Sequence, residues 1–456
     1  MIASSPDHPV VPTHDGGPDV INRRHFLAGA SAVVAAPVLV WLGIDLATDD
    51  PAGPRSPDRR PHDNGPVPTL PPQYLQGAPT VALLARTGPY LTSPRGTFST
   101  SYQEDSPVED KTWDMRDARF LGYFDKDAFY ETGEFAGGST PEQKNIHPIR
   151  LGRAMPMGGA AIIGGVVEGT QPETLTWERM KYGQEVQDDT DRWIDAGRPR
   201  SVDPHAAQRG NDNQDGDPRM YIREGTWAVW DGVRVRNSHD GIGLYRAEEQ
   251  GSGTCYVRNC WLQDIRDDAI ENDQWHDLHV LDTLVDGTYT FLSTQRNDDD
   301  DSDSEQVITV EDSVIRLKPF PGGYLARSTD HTHGSIYKSR PNSPGLVLRN
   351  VVIAAERFRD LAGSDGLDRI LPTRQGSIVD SYENVTLVWL GEGPYPGNVP
   401  DGCTLTTDPA VYEAAVADWK TRHGVDERGG VDMGRMLTPA LPAWRTAPPA
   451  GATPPG

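Results

Sequence analysis

The chain has 456 residues, enough for one large core or two domains. A formal charge of −24 argues against a nucleic-acid binder, because phosphate affinity comes from clustered Lys and Arg; it suits a protein that holds hard cations. With 47 glycines and 39 prolines the chain turns often, which argues against a helical bundle.

The N-terminal 1–46 reads as an address rather than as part of the fold. Arg23 and Arg24 precede His25, Phe26 and Leu27, and an apolar run follows to Ile44. This resembles a twin-arginine (Tat) export signal, with Asn22 in place of the usual Ser or Thr. The resemblance implies a passing partnership with the Tat translocase and work outside the cytoplasm, either secreted or anchored. The run from Phe26 to Ile44 is long enough to anchor the chain if it is left uncleaved. Residues 47–78 are Pro-rich and read as an extended linker.

Residues 79–400 carry a loose repeat. The segments VWDGVRVRNSHDGIGL, YVRNCWLQDIRDDAIEN, HVLDTLVDGTYTFL, TVEDSVIRL, LVLRNVVIAA and YENVTLVWL each join β-formers to an Asp or Asn. The markers are Asp231, Asn259, Asp282, Asp312, Asn350 and Asn384. Their intervals are uneven, shortest from Asn259 to Asp282 and longest from Asp312 to Asn350. Fainter copies lie at Arg116–Phe124 and Ala160–Gly169. Alternation of period two argues strands, and uneven spacing with a recurrent turn residue argues a solenoid whose coils carry loops of variable length. A β-sandwich is the rival architecture.

These segments resemble the pectate-lyase-like superfamily of right-handed parallel β-helices. The resemblance implies an all-β solenoid acting on a polysaccharide. It rests on the repeat alone: the chain lacks a complete pectate-lyase signature and the ordered acidic, His-Gly and Arg-x-Lys series of the polygalacturonases. Lyase, hydrolase and a non-catalytic glycan-binding or spacer module therefore all stay open.

Placing Asp231 on Asn259, as one coil upon the next, carries Asp240 onto Asp268, Gly241 onto Ala269 and Ile242 onto Ile270. Ile242 and Ile270 then form an inward aliphatic ladder. Asp240, Asp267, Asp268 and Glu271 form an outward acidic cluster that needs a cation, a basic partner or a shared proton. Asp268, Glu271 and Asp273 are the candidate Ca²⁺ ligands. Trp230 and Trp275 are candidate sugar-stacking faces beside them.

A second constellation, Ser328–Arg340, holds His331, His333, Lys338 and Arg340. Two histidines two apart share a face of a strand. His333 or Lys338 is the candidate base, and Arg340 a candidate substrate contact. The acidic run Asn297–Glu305 reads as an exposed loop or a surface Ca²⁺ site. Cys255, Cys260 and Cys403 lack zinc spacing, which leaves a Cys255–Cys260 disulfide or three buried thiols.

In the C-terminal 401–456, Asp408 is an N-cap, Pro409 opens a helix and Gly424 stops it. Val411, Ala415 and Trp419 recur at helical spacing, predicting one helix over the last coil as a cap against an open sheet edge.

The export reading has a direct check. Arg23→Lys combined with Arg24→Lys should leave the precursor in the cytoplasm on fractionation. Normal export of that double variant would remove the twin-arginine assignment.

Overall fold

The computed structural model describes residues 83–437 with breaks at 100, 105–108, 123–146, 153–157, 170–175, 177–183, 198–217, 247–250, 296–303, 323–326, 340–341, 357–379, 396 and 428. The segments read as an export signal and a linker, together with Arg340 and most of the Asn297–Glu305 run, lie outside the described residues.

Among the described residues, 22 strands join one continuous sheet in which the pairings are parallel. Three ladders run through it. The first climbs from Glu109–Asp114 through Gly158–Ile163, Trp227–Asp231, Thr254–Arg258 and Asp277–Leu281 to Val307–Glu311 and Gly345–Ala355. A second holds Ala118–Gly122, Val166–Gly169, Arg234–Arg236, Trp261–Glu271, Leu284–Ser293 and Val314–Leu317. The third holds Ile149–Leu151, Arg219–Ile222, Ile242–Arg246, the end of Trp261–Glu271, the end of Leu284–Ser293, and Tyr337–Lys338. Each strand pairs in parallel with its counterpart one coil away; only at the end, where Gly345–Ala355 meets Ser381–Trp389 and the latter meets Cys403–Thr406, is that counterpart also the next strand described. This is an all-β stack of parallel coils, consistent with a β-helix solenoid and not with a sandwich of antiparallel strands. The fainter copies belong to it, as Ala118–Gly122, Gly158–Ile163 and Val166–Gly169.

The core is built of in-register apolar ladders. Trp113, Ile162, Trp230, Val257, Val280, Val310 and Leu348 stand on successive coils and are fully buried. Trp230 is a rung of this ladder, so its indole packs the interior and offers no face to a sugar. Ile242 pairs with Ile270, parallel and fully buried, as the alternation predicts.

Five marker residues occupy the corner after the first ladder. Asn259, Asp282, Asp312, Asn350 and Asn384 have φ of +54°, +42°, +58°, +54° and +51°. Asn and Asp tolerate this left-handed conformation better than other residues with a Cβ. The amides also bond along the stack. Asn259 Nδ2 donates to Asp231 Oδ1 (2.8 Å), and Asn384 Nδ2 to Asn350 Oδ1 (2.9 Å). Asp231 is out of step with this series. The register of the two strands sets it opposite Arg258, not Asn259, and leaves Gly232, at φ +67°, at the corner. Arg258 closes on Asp231 Oδ2 through Nε (2.9 Å) and Nη2 (2.7 Å).

The C-terminal helix, Pro409–Arg422, starts and stops as its caps require. Asp408 accepts from Ala410 N at 3.0 Å, and Gly424 takes φ +69°. Its position differs from the expected one. Trp419 packs into a cluster with Trp261, Leu284 and Val314, and Val352 packs against that cluster. Those four residues are one rung each of the second ladder. The helix therefore lies along the flank of several coils and does not cover the end of the stack. Charge fixes it there: Arg422 grips Asp282 with Nη1 (2.8 Å) and Nη2 (3.0 Å), and Lys420 Nζ donates to Asp286 Oδ2 (3.0 Å). His423 stacks on Trp419 with ring centroids 3.9 Å apart.

A helix at Gln184–Asp195, not expected from the sequence pattern, pins the second constellation. Asp191 accepts from Ser328 N (2.9 Å) and Ser328 Oγ (2.6 Å). The three cysteines are free, Cys255 and Cys260 being buried, so no disulfide forms.

The Ile242–Ile270 ladder sets an expectation for stability. Ile270→Asp buries a carboxylate among aliphatic side chains and should destabilise the chain by more than about 4 kcal/mol in denaturant unfolding. A change near zero would contradict this register.

Candidate functional site

The acidic coil turns from its second to its third ladder at Asp264–Ile270. Asp264 takes φ +53°, as Asn237 does at φ +51° one coil before. Up to this corner the register of the two coils sets Arg236 on Gln263. Beyond it Ile242 falls on Ile270, so the later coil has gained one position on the earlier. The next coil registers the same irregularity between Ile265 and Asp268. An extra residue is thus inserted at this corner, a bulge of the kind that re-aims a side chain.

The register carried into the corner decides which carboxylates meet. Asp267 N donates to His239 O at 2.8 Å, the pattern that elsewhere in the pair sets Arg234 opposite Trp261 through Trp261 N and Val233 O. Asp240 therefore faces Asp267. Asp268 is the displaced residue, and its N–H donates to Asp240 Oδ1 at 3.1 Å. Gly241 fits here because a Cβ would stand 2.2 Å from Ala269 O.

The cluster is not a solvated face. Asp240, Asp267 and Asp268 are 3%, 8% and 4% exposed. Lys338 comes from two coils further on, stacked above Ser293, which stacks above Glu271. Its Nζ lies 3.0 Å from Asp268 Oδ2. Burial pushes the Asp268 carboxyl well above the ordinary carboxylate range; Lys338 pulls against this, and Asp267, Asp240 and Asp273 add to it. Burial likewise raises Asp273 to about 6, against Lys338 and the hydrogen bonds from Ser293 and Gln295. Burial opposes the Lys338 ammonium, yet Asp268, Asp267 and Asp273 together carry it above its usual range.

Other expected site residues are engaged elsewhere. Glu271 accepts from the Tyr245 hydroxyl. Asp273 accepts from Ser293 Oγ and Gln295 N, both at 2.7 Å. Asp268, Glu271 and Asp273 do not converge as a three-ligand group; among the described residues that geometry belongs to His239, Asp240 and Asp267. Trp275 is 3% exposed and donates from Nε1 to Thr294 O (2.9 Å), so it too packs inside.

His331 is exposed while His333 is fully buried, so the pair does not act as one. His333 bonds Gly334 O through Nδ1 (2.8 Å) and accepts from Glu356 N at Nε2 (3.0 Å). Both ring nitrogens are committed to backbone, and burial lowers the ring to about 4. His333 is a structural, neutral histidine and not a base. His276 behaves alike: it accepts from Gly253 N (3.0 Å), and burial takes it to about 4.

His239 is the residue that sequence reasoning passed over. It precedes Asp240, and its Nδ1 lies 3.0 Å from Asp240 Oδ2. The sequence signal was a histidine directly before Asp240 of the expected acidic cluster. A separate groove, lined by Asp264, Asp286, Arg316, Lys318 and Tyr412, runs between the flank helix and the second ladder. Its charges are spent on one another: Lys318 on Asp264 (2.5 Å), Tyr412 on Asp286 (3.3 Å) and Arg316 on Glu356.

No protein family, no curated protein and no solved structure matches the chain.

The buried neutral histidines make stability depend on pH. Between about 6.5 and about 4 the unfolded chain binds protons at His276 and His333 that the folded chain refuses, so their stabilisation is complete above 6.5 and is lost as pH falls. Asp268 and Asp273 act in the opposite sense, because their folded forms hold protons longer. The histidine share is therefore read as a difference. His276→Gln and His333→Gln should each lose about 3 kcal/mol less than wild type between pH 6.5 and 4 in denaturant unfolding. Parallel curves would show that these rings titrate normally.

Proposed function

We propose that the chain is an exported, carbohydrate-active right-handed β-helix of the pectate-lyase-like kind. It would cleave a cell-wall or extracellular polysaccharide at the corner of Asp240, Asp267, Asp268 and Lys338. The observation that carries this reading is the contact between Lys338 and Asp268, 3.0 Å apart although far apart along the chain. A spacer has no need to bring an acidic coil and a basic strand to one point, whereas chemistry on a bound substrate does. The twin-arginine segment supports folding before export by the Tat translocase.

Hydrolysis fits this corner better than elimination. Elimination needs a base that abstracts a proton, and an ammonium held by a carboxylate oxygen at 3.0 Å is a donor. Asp268, displaced by the bulge, is the acid–base carboxyl of this reading. Lys338 is its positioning residue, and Asp240 and Asp267 are the flanking carboxylates. The burial of all three acids favours one rival, a non-catalytic surface solenoid whose cluster only pins the corner.

A polysaccharide panel separates these readings. The purified chain should release new reducing ends from at least one glycan, without the ultraviolet absorbance of unsaturated products. Asp268→Asn should lower that turnover by about a hundredfold or more while far-ultraviolet circular dichroism stays unchanged. Unsaturated products would mean elimination. Full activity in Asp268→Asn would move the site elsewhere, and silence of the wild type across the panel would favour the spacer.

A further inference from the structure

His239, Asp240 and Asp267 each present a ligand atom, and those atoms lie within 4.8 Å of one another. All three residues are buried, with His239 only 1% exposed. Their backbone placement comes from coil pairing, since Asp267 N bonds His239 O at 2.8 Å. The 3.0 Å from His239 Nδ1 to Asp240 Oδ2 is also the separation of two neighbouring ligands at right angles on bonds of about 2.1 Å. Beside them, Asp268 places one oxygen on Lys338. Its other oxygen, Oδ1, is buried without a hydrogen-bond partner among the described residues. A buried carboxylate oxygen without a donor is destabilising, and a cation would relieve it.

We propose that His239, Asp240 and Asp267 hold a divalent transition-metal ion, whose positive charge would also offset the neighbouring Asp268 carboxylate. The imidazole decides the class of metal. Ca²⁺ and Mg²⁺ take oxygen ligands, whereas one nitrogen with two carboxylates suits ions such as Zn²⁺ or Mn²⁺. This site differs from the Ca²⁺ set expected from the sequence, in which Glu271 and Asp273 have hydroxyl and amide partners instead. The register before the bulge sets Asp267 opposite Asp240, and the inserted Asp268 holds Asp240 Oδ1 in place through its N–H, as outer hydrogen bonds orient metal ligands. The inference shares its corner with the glycan-cleavage reading but requires no glycan.

The test is calorimetric titration of the chelator-treated full chain with Zn²⁺, Mn²⁺ and Ca²⁺ separately. About one Zn²⁺ or Mn²⁺ per chain should bind, raise the melting temperature, and outcompete Ca²⁺ by at least about tenfold. His239→Gln and Asp267→Asn should each weaken binding by at least about tenfold, while the exposed His331→Ala leaves it unchanged. X-ray absorption at the metal edge of the loaded wild type should show an imidazole nitrogen, a readout that stands even where a variant misfolds. Absence of binding, preference for Ca²⁺, indifference to both variants, or an all-oxygen shell would each overturn the proposal. Because no substrate enters the titration, failure of the glycan panel and failure of this site are distinguishable.

Discussion

The stack depends on one backbone constraint: from Gly232 to Asn384, successive coils turn their first corner in a left-handed conformation, each directly above the corner below. Only Gly, Asn and Asp adopt that conformation readily, and the corner is filled by them from Gly232 to Asn384. Once the corner repeats, the strands on either side fall into register. Apolar side chains then superpose into ladders such as Trp230, Val257, Val280, Val310 and Leu348. No single coil buries such a rung from both sides. The corner chemistry and the core are therefore one requirement seen from two directions.

Where the corner residue is Asp rather than Asn, the ladder loses a donor and gains a charge. At Asp231, beside the corner glycine, the charge is met from the next coil by Arg258. At Asp282 it is met from outside the solenoid by Arg422, at the end of the flank helix. The docking of that helix follows from this. Its apolar anchor, Trp419, settles on the outward rungs Trp261, Leu284 and Val314, and its indole N–H donates to Asp282 O at 2.9 Å. Apolar burial holds the helix to the flank, and the Asp282 carboxylate selects the coil at which it sits.

The acidic corner is the same problem carried further. An inserted residue packs Asp267 and Asp268 against Asp240 in a space too dry for three independent carboxylates. The structure answers with Lys338 on Asp268 and with a raised proton affinity at Asp268 and Asp273. A fold maintained for stability alone is served as well by apolar residues at such a place, since a buried ion network is weak evidence of stabilisation. The proposed ligand chemistry is therefore assigned here rather than to the polar groove beneath the flank helix, where Lys318 meets Asp264 and Arg316 meets Glu356.

By itself the sequence determined what depends on neighbours along the chain. The period of two identified strands, the Asp and Asn markers identified corners, and Asp408, Pro409 and Gly424 bounded a helix, because turn, cap and alternation chemistry are local. The tertiary structure decided everything that depends on one residue more or less between coils. The register carried into the corner set Asp240 on Asp267 instead of Asp268, placed His239 beside them, and left a buried cluster where a solvent face was expected. Packing between coils also separated His333 and the tryptophans Trp230 and Trp275 from the chemistry assigned to them, since an aromatic or imidazole ring reads alike in sequence whether it lines a groove or fills a core. Lys338 could be named in the sequence, but its meeting with Asp268 could not. Contacts between such distant segments are set by how many coils intervene and how long their loops are, and local propensity carries no record of either.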